Sequence, residues 1–81
     1  QGESKGNVIA RMIANKIMSD GKSNINRIEY YEDSDKNIQD VIDKVCNNEK
    51  LDEIKPENFE LVIKKVVKLE KGYDFQEISC G

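Results

Sequence analysis

The sequence predicts a mainly α fold, a small three-helix domain, in which a short two-stranded ribbon would shift the class to α+β. Three observations carry that expectation. The stretch 56–72 pairs Pro56, suited to a first helical position, with Gly72, suited to a left-handed C-terminal stop. Between them, Phe59, Val62, Ile63 and Val66 recur at helical spacing, with Val67 and Leu69 beside them. The stretches 7–19 and 35–47 show the same periodicity, so helices are expected at 7–19, 35–47 and 56–71. An all-helical arrangement is the competing architecture.

Residues 1–6 are polar and carry two glycines. They are expected to be disordered, as the remnant of a tag or linker would be, with residues 7–81 forming the single domain. In the first helix Ile9, Met12, Ile13 and Ile17 share a face, Asn7 is the expected N-cap and Gly21 the expected stop. Asp20 to Asn24 is turn chemistry throughout. Ile25 to Tyr31 is rich in β-branched and aromatic residues, which favours a strand.

In the second helix Asp33, Ser34 and Asp35 precede Ile38, Val41, Ile42 and Val45, at i, i+3, i+4 and i+7. Leu51 and Ile54 are expected to pin the following connection to the core. The third helix carries Glu57 and Glu60 near its start and Lys64, Lys65, Lys68 and Lys71 toward its end, as the helix dipole favours. After it, Tyr73 to Ser79 alternates and is expected to pair with 25–31 as the two-stranded ribbon.

The composition excludes several functions. The 81 residues suffice for one core, and a chain this small buries only about 60% of the surface its unfolded form exposes. Apolar residues make up 37% and charged residues 36%, with a net charge of −3, so the surface is densely charged with both signs interspersed. Nucleic-acid binding needs a clustered basic face, and the lysines of the third helix alternate with apolar residues instead. A helix-turn-helix would survive only if Lys64, Lys65, Lys68 and Lys71 formed one patch. No apolar run approaches the roughly 18 residues of a membrane span.

The absence of histidine removes the common base for a serine or cysteine nucleophile and the usual zinc patterns. No phosphate-cradling glycine loop is present. Carboxylate pairs such as Glu29 with Glu32, or Asp33 with Asp35, lack a large apolar cleft to raise one pKa. The chain therefore reads as no enzyme, and no cofactor or metal is expected. Cys46 and Cys80, without a C-x-x-C spacing, are a candidate disulfide; the competing reading is two separate thiols.

The stretch Asp20-Gly21-Lys22-Ser23-Asn24-Ile25-Asn26-Arg27-Ile28-Glu29-Tyr30 resembles the back half of an EF-hand loop. Asn47 to Phe59, centred on Ile54, is fainter kin. The resemblance implies a paired lobe, but Met18, Lys22 and Ser23 stand where ligands or the turn glycine belong. Leu51 and Asn58 depart likewise in the second loop. Such a lobe would be degenerate and would not bind calcium.

These exclusions leave a non-catalytic protein–protein interaction domain as the expected function, with an unidentified protein as partner. It would be an interaction module, or a fragment of a larger protein, presenting an acidic and tyrosine-bearing surface. Glu29, Tyr30, Tyr31 and Glu32 are the candidate partner-binding residues, since tyrosine buries much area at low entropic cost. The alternatives are a small acidic regulator or inhibitor on a basic site and the degenerate EF-hand-like lobe.

Overall fold

A computed structural model describes residues 2–20 and 26–80. Helix α1 spans Lys5–Asp20 and strand β1 Arg27–Glu32. Helix α2, Asp35–Val41, runs on into a π-helical turn, Ile42–Cys46, and is followed by the short helix α3, Glu49–Ile54. Strands β2, Glu60–Lys68, and β3, Tyr73–Ser79, complete the chain. The sheet order is β1-β2-β3, with β1 parallel and β3 antiparallel to β2.

The fold is therefore α+β, with a three-stranded mixed sheet, and not mainly α. The expected third helix over 56–71 is instead the central strand. Val62, Ile63, Val66 and Val67 are β-branched, which favours the pleated conformation. Leu61, Val62 and Ile63 are consecutive and all buried, as at the middle of a central strand flanked by neighbours on both edges rather than in a one-sided helix. The helical spacing of Phe59, Val62, Ile63 and Val66 combines residues from both faces of that strand.

The end signals also belong to other structures. The Pro56 carbonyl accepts from the Phe59 N–H at 3.1 Å, closing a turn ahead of β2. Gly72, at φ +89°, sits in the hairpin loop between β2 and β3, where the Leu69 N–H donates to its carbonyl at 3.0 Å. Its left-handed backbone is needed, but for a hairpin. The expected ribbon is corrected too. β1 and β3 do not pair with each other, because β2 lies between them.

The first two helices form where periodicity placed them, with different starts and stops. Helix α1 begins before Asn7, whose N–H donates to Ser4 Oγ at 3.3 Å. Gly21, its expected stop, lies outside the described residues. Ser34 caps α2 by accepting from the Asn37 N–H at 3.3 Å. The π turn closes with the Asn47 N–H donating to the Ile42 carbonyl at 3.0 Å, and Asn48 then caps α3 through the Leu51 N–H. Leu51 is buried and Ile54 packs against the core.

Gly6 is buried where α1 meets α2, and its N–H donates to Asp40 Oδ2 at 2.7 Å. A Cβ there would run into the Asp40 carbonyl and lie 2.8 Å from Lys44 Cβ. The absence of a side chain permits the approach.

The core lies between the helices and one face of the sheet. Ile13 and Ile17 from α1, Ile38, Val41 and Val45 from the second helical stretch, and Leu51 from α3 meet Leu61 and Ile63 of β2. Ile28, Tyr30, Ile78 and Cys80 extend this layer. Because side chains alternate along a strand, Arg27, Glu29, Tyr31, Val62, Lys64, Val66 and Phe75 point the other way. None of these joins the core cluster.

This topology removes two sequence-based readings. Each EF-hand-like stretch should lead into a helix, whereas β1 begins within the first and β2 follows the second. The four lysines do not form a helical patch: Lys64 and Lys68 share the uncovered sheet face, and Lys65 points to the other, 2.6 Å from Asp35. Among the described residues, no helix is long and apolar enough to cross a membrane.

Candidate protein-binding face

The uncovered face carries a row of charges crossing all three strands. Arg27 Nη1 lies 2.5 Å from Glu60, and Arg27 Nη2 lies 3.1 Å from Glu29. Lys64 Nζ, on the central strand, is 3.9 Å from Glu29 and 3.7 Å from Glu77. The strand register makes these partners: Arg27 lies opposite Glu60, and Lys64 lies between Tyr31 and Glu77. Arg27 and then the Tyr31 hydroxyl donate to Glu29 and, with Lys64, hold its carboxyl below the usual range. Exposed ion pairs contribute little stability, so the row adds little to the fold.

Two aromatic rings stand beside that row. Tyr31 from β1 and Phe75 from β3 meet edge to face with centroids 5.6 Å apart. Each is 51% exposed. Lys64 Nζ lies 5.8 Å from the Tyr31 ring centroid, within cation–π range. Val66 lies opposite Phe75 in the register, and Tyr73, still more exposed, lies opposite Lys68.

Strand alternation divides the four residues singled out in the sequence. Glu29 and Tyr31 share the open face, and the Tyr31 hydroxyl donates to Glu29 Oε1 at 3.1 Å. Tyr30 and Glu32 turn toward the helices, and the Tyr30 hydroxyl donates to Glu32 Oε1 at 2.5 Å. Compared with protein-family models, with curated proteins and with solved structures, the chain matches none of them. The reading of the face therefore rests on its own geometry.

Lys64, which completes the face with Phe75, entered the sequence reading only as part of a helical lysine patch. Its place on this face could have been found only by reading 60–68 as a strand. Period two would then have put Lys64 on the face opposite Ile63, while its register against β1 and β3 is set by long-range pairing. Cys46 and Cys80 lie elsewhere, as a disulfide with a Cα–Cα distance of 5.3 Å joining the π turn to the end of β3. Among the described residues, no group of three or more His, Cys, Asp or Glu side chains is placed to hold a metal ion.

Glu32 has a structural role that follows from its surroundings. Burial pushes its carboxyl pKa up, but hydrogen bonds from Tyr30, the Ser34 N–H and Asn37 outweigh that and hold it at about 2. Burial and the same carboxylate push the Tyr30 hydroxyl upward. Because the folded pKa lies below the unfolded one, the contribution is complete above about pH 4.5 and is lost as pH falls toward 2. After allowance for solvent screening it amounts to roughly 2 kcal/mol. Glu32→Gln is expected to lower stability at pH 7 by that order and to flatten the stability profile between pH 5 and 2. Urea titrations across that range check both effects, and an unchanged acid limb would contradict the assignment.

Proposed function

We propose that the chain is a non-catalytic protein-binding domain that docks a folded partner on the open face of its sheet. The observation that carries this reading is the half-exposed Tyr31–Phe75 pair on a sheet face that no described element covers. Tyrosine and phenylalanine supply contact area on rigid side chains, and interface centres are enriched in them. The flanking row of Arg27, Glu29, Lys64 and Glu77 is already internally paired. A complementary partner would present an apolar patch with mixed charges at its border, with no need for a strongly charged surface.

The carboxylates support the non-catalytic reading. Glu3, Glu29, Glu32 and Asp40 are all held below their usual range by donors beside them. A general acid requires the opposite shift. The acidic-regulator alternative gains nothing from the charge layout. Asp40 pairs with Lys44, Asp52 with Lys55, Glu3 with Arg11 and Asp35 with Lys65, so these acids are neutralised pair by pair.

Replacing both rings, Tyr31→Ala with Phe75→Ala, tests the proposal. Both positions are half exposed, so the urea midpoint should report a loss of no more than about 1–2 kcal/mol. Quantitative affinity capture should show retention of the partner falling tenfold or more. A partner retained equally by the wild-type and doubly substituted domains would refute the assignment to this face.

A further inference from the structure

A second receptive surface lies along the outer edge of β1. In the sheet order β1 pairs with β2 alone, so among the described residues its other row of N–H and C=O groups has no strand partner. Alongside that edge runs an apolar groove of 440 Å³, walled by Ile9 and Met12 of α1 and by Ile28 and Tyr30 of β1. An unpaired strand edge next to an apolar groove is the arrangement that accepts an added strand. The main chain supplies affinity, and alternate side chains fill the groove. The opposite outer strand, β3, is exposed at every position except Ile78, and so offers no comparable receptacle.

The charges of α1 define the occupant further. Lys5, Ile9, Met12 and Lys16 are spaced as one stripe of the helix, at i, i+4, i+7 and i+11. The stripe places an apolar centre between two cations. Lys16 lines the groove with Glu29 and Ile28, near the start of β1, while Lys5 Nζ lies 3.9 Å from Glu32 at its end. Helix α1 carries Lys5, Arg11 and Lys16 and no acidic residue before Asp20; Arg11 is taken up by Glu3, so the two lysines at the ends of the stripe set its charge. The two lysines are about 17 Å apart along the helix, the reach of five or six residues of extended chain.

We propose that the β1 edge takes an extended, acidic segment of a partner protein as a fourth strand. Its apolar side chains enter the groove at alternate positions, and its carboxylates, six residues apart and so on the same side of the strand, reach the Lys5 and Lys16 ends. This site is separate from the Tyr31–Phe75 face, so either can stand if the other fails.

The probe is a capped synthetic peptide, Glu-Thr-Val-Thr-Val-Thr-Glu, titrated into the ¹⁵N-labelled domain. Two controls accompany it, one with lysine in place of both glutamates and one N-methylated at alternate amides. The proposal expects amide shifts confined to 27–32 and to α1. Affinity should fall at least fivefold for each control peptide and for the Met12→Glu, Lys16→Glu variant. It should be unchanged in the Tyr31→Ala, Phe75→Ala variant. Both α1 substitutions fall at exposed positions, and the control peptides keep the test decisive should that variant fail to fold. Unmoved β1 amides at saturating peptide, shifts centred on β3 or the Tyr31–Phe75 face, or equal binding of the lysine peptide would each overturn it.

Discussion

Reducing the Cys46–Cys80 disulfide is expected to remove up to about 4 kcal/mol of stability, the chain-entropy value for a cross-link of this span. The two cysteines are 34 positions apart, so the bond constrains the unfolded chain across α3, β2 and β3 together. In the folded state it joins the end of the π turn to the residue following β3, and both half-cystines pack against the core. A domain of this size has a total margin of roughly 4–12 kcal/mol, so the bond accounts for a large share of it. Urea unfolding with and without reductant should show the midpoint falling substantially, with the Cys46→Ala, Cys80→Ala variant reproducing the reduced protein. Near-equal midpoints would mean that the layers hold together without the bond.

The legible and illegible parts of the fold differ in a physical way. Helices α1 and α2 were legible because their apolar residues occupy one stripe, with polar residues on the remaining circumference. Ile13, Ile17, Ile38, Val41 and Val45 all reached the core. β2 was not legible, because a central strand loses the simple alternation that identifies a half-buried one. Val62 is 2% exposed on the face opposite Ile63, at 0%, and seven apolar residues between 59 and 69 then suit either period. Pro56, Gly72 and the lysines gave the helical reading false support, since a turn proline, a hairpin glycine and an alternating strand require the same residue types.

The misreading of β2 also concealed the proposed binding face. Glu29 and Tyr31 belong to a segment expected to be extended, and they were accessible to sequence reasoning. Their neighbours Lys64 and Phe75 come from strands whose register with β1 is set by long-range pairing. No local pattern encodes that register. Tyr30 and Glu32 were grouped with Glu29 and Tyr31 by proximity in sequence, whereas strand alternation sends them into the helix-facing layer.

Alanine substitution along β2 should show a cost that follows period two on the helix-facing side. Ile63 is fully buried and lies between Tyr30 and Ile78 in the register, so truncation leaves a cavity at the centre of the core layer. Ile63→Ala should cost about 3–4 kcal/mol, and Leu61→Ala, at 1% exposure, a similar amount. Val66 lies on the other face, beyond the end of β1 and only partly buried. Its truncation should cost less than about 1.5 kcal/mol. A helical 56–71 would instead make Val66 as costly as Ile63 and leave Leu61 peripheral. Urea midpoints for the three single variants separate these patterns, since the strand requires Leu61 to group with Ile63 and apart from Val66. Equal losses at Ile63 and Val66 would contradict the register on which both proposed surfaces depend.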